Sequence, residues 1–83
     1  MTNADIAVYG ADWCGDCRRA KMFMEDHGIH FEWIDVQDDP EARKVVEKLN
    51  DGKRIIPTII FQDGSILVEP SNAQLARKLG IGR

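Results

Sequence analysis

The patterning of these 83 residues predicts an α/β fold, a four-stranded mixed sheet with three helices in the order βαβαββα. Three features carry this. Short runs of β-branched and aromatic residues alternate with stretches of helical period, two such runs flank an Asp-Gly turn, and the helical stretches carry recognisable caps. At this length a single domain, 1–83, is expected, burying roughly 60% of the surface its unfolded chain exposes.

Ile6, Val8 and Tyr9 form a first strand that stops at Gly10. From Gly15 onward Ala20, Phe23, Met24 and His27 recur at helical spacing, with Gly28 as the C-cap candidate. Residues 31–36 are rich in aromatic and β-branched types and form a second strand, parallel to the first because a helix intervenes. Asp39 as N-cap, Pro40 at the first helical position and Glu41 in the first turn open a second helix. Ala42, Val45, Val46 and Leu49 lie on one of its faces, and Asn50, Asp51 and Gly52 end it. Residues 58–61 and 65–68 pair across Gln62, Asp63 and Gly64 as a hairpin. Ser71 to Gln74 has capping-box spacing before Leu75, Leu79 and Gly80, which gives the last helix. A parallel pair extended by an antiparallel hairpin, with helices on both faces, resembles the order of thioredoxin-like domains.

The apolar fraction of 43% and charged fraction of 30% are those of a globular chain. A net charge of −3 from 11 basic and 14 acidic side chains leaves no basic stripe for phosphates, so neither nucleic acid nor a membrane surface is an expected partner. No apolar run approaches the ~18 residues of a membrane span. Met1 to Asp5 has neither a basic region nor an apolar core of the export-signal kind, so a cytoplasmic location is expected, and a monomer.

The chemistry centres on Trp13-Cys14-Gly15-Asp16-Cys17. In a reducing compartment the pair is a poor structural staple, since bridging positions three apart stabilises by about 2 kcal/mol at most. In a helix starting near Cys14 or Gly15, residues three apart share a face within disulfide reach. Cys14 then meets the unsatisfied N–H groups and positive dipole end, which lower a thiol's pKa, while Cys17 is more buried and less acidic. Asp16 opposes ionisation of Cys14 while Arg18, Arg19 and Lys21 favour it, and the sign of the balance is open at this stage. Cys-x-x-Cys beside a βαβ pattern reads as a redox pair, against the alternative of two idle buried thiols. His27 and His30 add nitrogen donors, but the Cys-x2-Cys-x9-His-x2-His spacings are too short for a zinc finger, and His27 on the apolar stripe reads as a packed histidine. No metal ligands are expected.

Pro57 removes a ladder donor where the third strand begins, and by itself reads as a strand-start proline. A cis Ile56–Pro57 bond is the alternative, presenting the Ile56 backbone to an extended substrate beside Cys14. Trp13, just before Cys14, shields one side of the site and offers apolar surface to partners. Ser71 and Asn72 cap the last helix, and the same N-terminus is a place for a substrate carboxylate. Arg54, ahead of Pro57, can pair with an acidic thiol.

With Trp13-Cys14-Gly15-Asp16-Cys17, Arg19 and Lys21, Arg54 before Ile56-Pro57-Thr58, Phe61-Gln62-Asp63-Gly64 and Pro70-Ser71 in this order, nearly the whole chain resembles glutaredoxins, and among them the mycoredoxins. The resemblance implies a disulfide reductase serving redox homeostasis and electron transport. Cys14 would attack a mixed disulfide between a protein and a low-molecular-weight thiol, release the protein, and be regenerated by a second small thiol. Cys17 would be a resolving thiol, Pro57 would be cis, and Trp13, Arg54, Ile56, Ser71 and Asn72 would bind substrate. Asp16 stands where glutathione-using members carry an aromatic residue, and Val68-Glu69-Pro70-Ser71 replaces their Gly-Gly-x-Asp-like stretch, so mycothiol is expected as co-substrate rather than glutathione, with no bound cofactor. The alternatives are a carrier reduced by a flavin disulfide reductase of the thioredoxin reductase kind and an iron-sulfur cluster carrier.

Overall fold

The computed structural model describes residues 6–81; the leader reading of Met1 to Asp5 lies outside them. The elements are β1 (Ala7–Gly10), α1 (Gly15–Asp26), β2 (Glu32–Asp35), α2 (Pro40–Leu49), β3 (Thr58–Ile60), β4 (Ile66–Val68) and α3 (Asn72–Leu79). They follow the expected order, each strand being shorter than its sequence run by one or two residues.

The sheet order is β2-β1-β3-β4. β1 pairs in parallel with β2, Val8 opposite Trp33, and antiparallel with β3, Val8 opposite Ile59; β3 and β4 form the antiparallel hairpin. Because side chains alternate along a strand, each face of this sheet has its own core. Val8 and Ile59 point to a cluster with Ala20 and Met24 of α1 and Leu75 of α3, flanked by Trp33. Tyr9 and Ile34 point the other way, onto Val36 and onto Ala42 and Val46 of α2. Burial of side chains such as Met24, Ile59 and Leu75 stabilises by about 1.5–3 kcal/mol each.

Local hydrogen bonds fix the helix ends. The Asp39 carboxylate accepts from the Glu41 and Ala42 N–H groups, with Pro40 occupying the position where a missing N–H costs nothing. Ser71 Oγ accepts from Gln74 N while Gln74 Oε1 accepts from Ser71 N, a complete capping box. Gly80, at φ 70°, closes α3 in the left-handed region. Helix α1 ends one residue earlier than its apolar period predicts. His27 is its C-cap and is exposed rather than packed in the core, with Nδ1 2.8 Å from the Phe23 carbonyl and its ring against Phe23. β1 ends at Gly10, and the chain crosses to α1 through residues 11–13, leaving Cys14 at the mouth of the helix.

Candidate active site

Cys14 is the N-cap of α1, with extended backbone at φ −87° and ψ 118°. Its N–H donates to Ala11 O at 3.1 Å, its carbonyl accepts from Arg18 N at 3.0 Å, and its Sγ accepts from Cys17 N at 3.3 Å. The capping role usually filled by an oxygen is thus filled here by sulfur. Cys14 is half-buried, Cys17 is 0% exposed, and no disulfide joins them. The Cys17 thiol is pushed up to about 12, first by burial and then by its hydrogen bond with Cys14, against a smaller lowering from the Ala11 backbone.

Burial of Cys17 depends on Gly10. A Cβ at Gly10 would lie 2.8 Å from Cys17 Sγ, 2.9 Å from Trp33 Cη2 and 3.1 Å from Cys17 Cβ. The missing side chain is the space the second sulfur occupies. Sequence patterning marks Gly10 only as a strand end, and nothing in its neighbourhood along the chain signals this contact.

Opposite Cys14 lies the start of β3. The Ile56–Pro57 bond is cis, as the family resemblance implied and the strand-start reading did not, and Ile56 O is 4.0 Å from Cys14 Sγ. This backbone is held by groups the sequence reading did not single out. Buried Thr58 donates through Oγ1 to Ile55 O at 2.6 Å; Asn50, read there only as a helix terminator, donates through Nδ2 to Thr58 Oγ1 and to Val46 O. On the other side, Glu69 N donates to Pro57 O at 2.9 Å.

A groove of about 260 Å³ lies beside Ile56, lined by Trp13, Val36, Gln37, Arg43, Arg54 and Ile56. Three expected site residues, Trp13, Arg54 and Ile56, therefore meet at one place, joined by Gln37 and Arg43. Arg54 is engaged there, its Nε donating to Glu47 Oε2 at 2.6 Å. Ser71 and Asn72 stand at the start of α3, where Ser71 Oγ accepts the Gln74 N–H of the capping box. The Arg19 guanidinium donates to Asn72 Oδ1 at 3.0 Å, to Pro70 O at 3.3 Å and to Asp16 Oδ1 at 3.3 Å, tying the first turn of α1 to the start of α3. Of the other basic residues, Lys21 lies over the Trp33 ring, 4.6 Å from its centroid.

The glutaredoxin family profile matches residues 6–66. Mycoredoxin 1 of Corynebacterium glutamicum is 34% identical over 76 residues, covering 92% of this chain and 94% of its own length. A protein named as a glutaredoxin in Mycobacterium tuberculosis is 34% identical over 79 residues, covering 95% and 94%. The chain belongs to the glutaredoxin family. It is a thiol-disulfide oxidoreductase. The glutaredoxin fold here is thioredoxin-like: the crystal structure of a thioredoxin-like protein superposes with a TM-score of 0.82 at 26% identity, covering 94% of this chain and 97% of the other.

Within this glutaredoxin the histidines stand apart from the cysteines. α1 has 12 residues, about 18 Å of helix, and His27 caps the end opposite Cys14. Among the described residues no three His, Cys, Asp or Glu side chains gather where they could hold a metal ion, and no helix is long and apolar enough to cross a membrane.

Proposed function

We propose that this glutaredoxin reduces mixed disulfides between proteins and mycothiol, with Cys14 as the attacking sulfur and Cys17 as a partly dispensable resolving thiol. The observation that carries the reading is the inequality of the two sulfurs. Cys14 Sγ accepts the Cys17 N–H at the positive end of α1, where negative charge on sulfur is best met. Cys17 has no exposed surface, and burial pushes its thiol up to about 12, so it keeps its proton at neutral pH.

The Cys14 thiolate attacks the small-thiol sulfur of the mixed disulfide. The new S–S bond joins Cys14 to the small thiol, and the protein sulfur leaves with the electron pair and takes up a proton. A second small thiolate attacks that small-thiol sulfur, forms the symmetric small disulfide and returns Cys14 as thiolate. In the slower branch Cys17 attacks Cys14, expels the small thiol and closes the Cys14–Cys17 disulfide, which then needs two electrons from thiols or a flavin disulfide reductase. The Ile56 backbone holds the extended substrate, and Trp13, Arg54, Ser71 and Asn72 bound the space for the small thiol.

Mycothiol is favoured over glutathione by the likeness to mycoredoxin 1 and by Asp16 and the Val68-Glu69-Pro70-Ser71 stretch, which depart from the glutathione-using pattern.

The test is turnover of one peptide mixed disulfide with mycothiol, glutathione or a flavin disulfide reductase supplied in turn. Mycothiol is expected to sustain turnover, with Cys14→Ser inactive and Cys17→Ser keeping an appreciable part. Equal loss in both variants would refute the assignment of the sulfurs, and turnover sustained only by the flavin enzyme would refute the small-thiol donor.

A further inference from the structure

Trp13 is 68% exposed, yet one atom of it is tethered. Its indole N–H donates to Gln37 Oε1 at 2.5 Å, across 24 positions of chain. The glutamine is itself fixed at both ends of its backbone. Its N–H donates to Asp35 Oδ1 at 2.7 Å; its carbonyl accepts from Arg43 Nη1 at 2.9 Å, and the same nitrogen donates to Val36 O at 2.8 Å. The loop after β2 is thereby pinned to the last residue of β2 and to α2. The one part of Gln37 left to move reaches out and holds the tryptophan that precedes the attacking cysteine.

Both residues line the groove beside Ile56, whose carbonyl is 4.0 Å from Cys14 Sγ. An untethered indole on an exposed loop rotates about two side-chain bonds, and the groove would then lack one wall for part of the time. Arg43 Nη1, bonded to both the Val36 and Gln37 carbonyls, helps to place Gln37.

We infer that Gln37 is a positioning residue that fixes Trp13 as the wall of the small-thiol groove and so sets recognition of the thiol-bearing half of the mixed disulfide. This rests on the proposed reading of Cys14 as attacking a small-thiol mixed disulfide. Gln37 touches no reacting atom, so it acts on KM and not on kcat, and only for substrates long enough to fill the groove.

The experiment uses the full chain and mixed disulfides of one peptide with mycothiol, with glutathione and with 2-mercaptoethanol, the last too short to reach the groove. Gln37→Leu, which keeps the size and removes the acceptor, is expected to raise KM about fivefold for the larger small thiol that the wild-type chain uses, the size of one modest hydrogen bond. It leaves kcat and the 2-mercaptoethanol substrate unchanged. Gln37→Glu, which keeps an acceptor oxygen, restores KM, and Gln37→Leu adds nothing in a Trp13→Phe background, which has no indole N–H. In proton–nitrogen NMR spectra the Trp13 indole N–H resonance, assigned through Trp13→Phe, shifts and exchanges faster with water in Gln37→Leu.

An equal rise of KM for all three substrates, a loss confined to kcat, or an indole resonance that does not move would overturn the inference. A wild-type chain inert toward every mixed disulfide would defeat the functional reading instead, and the tether is then judged by the indole resonance alone.

Discussion

Substitution of Gly10 by alanine isolates the contact that keeps Cys17 buried. An alanine Cβ meets Cys17 Sγ at 2.8 Å, Trp33 Cη2 at 2.9 Å and Cys17 Cβ at 3.1 Å. Each separation is roughly 0.5–1 Å inside the optimum for carbon and larger atoms. None of the neighbours yields easily, because Cys17 is fully buried on the inner face of α1 and Trp33 is pinned under the Lys21 ammonium. Without the clash the exchange would stabilise, since glycine in a strand costs about 0.5–1 kcal/mol relative to alanine through its greater freedom when unfolded. Overpacking costs about 1–3 kcal/mol, so the expected net loss is about 1–2 kcal/mol. For a domain of this size that lowers Tm by roughly 5–15 °C. The assay is thermal unfolding of the reduced protein, wild type and Gly10→Ala, repeated in a Cys17→Ala background that removes the nearest atom. The alanine should cost about 1 kcal/mol less in that background. A Tm that rises on Gly10→Ala, or a loss of the same size in both backgrounds, would refute the packing argument.

Two further outcomes concern pH and capping. In the reduced protein the folded Cys17 thiol holds its proton to about 12 while the unfolded one releases it near 9.0. The unfolded state therefore binds fewer protons between those values, and the stability from burying the neutral thiol, complete below pH 9, drains away as pH rises toward 12. Denaturant midpoints measured from pH 8 to 11 should fall more steeply for wild type than for Cys17→Ser. Ser71→Ala removes the oxygen that accepts Gln74 N and leaves the reciprocal Gln74 bond unsupported, which should cost about 1 kcal/mol. The same thermal scan reads this as a fall of about 4–8 °C.

What the sequence disclosed and what it concealed divide by distance along the chain. Asp39-Pro40-Glu41, Ser71 with Gln74, and Gly80 announce helix ends because the bonds they make reach only a few residues, so composition and geometry coincide. The Asp63-Gly64 turn discloses the hairpin for the same reason. Gly10 against Trp33, Trp13 with Gln37, Asn50 with Thr58, and Arg19 with Asn72 are side-chain meetings set by how strands and helices stack. The Arg19 reach spans 53 positions, and no local pattern encodes it. His27 shows the converse error. Its period along α1 matches the apolar stripe, but the helix ends at Asp26, and the cap position turns the ring to the surface. The cis bond at Pro57 was legible only through the family resemblance, because a proline at a strand start has an ordinary local explanation.

Helix rotation explains how an acidic residue can stand between the cysteines. Cys17, Ala20 and Met24 form the buried stripe of α1, three and then four residues apart, so Cys17 is carried inward by the same packing that holds the helix to the sheet. Asp16 stands one residue back, about 100° around the axis, and that turn places it in solvent. There its carboxylate is paired with Arg19, whose guanidinium also holds Asn72 and Pro70. The charge at position 16 thus belongs to the seam between α1 and α3, while its pull on Cys17 is the smallest of the causes that raise a thiol already raised by burial. One sulfur at the helix mouth and one a turn deeper follow from where β1 stops and which face of α1 is apolar. The residue between them is left to serve the contact with α3, and this is why a carboxylate can occupy it.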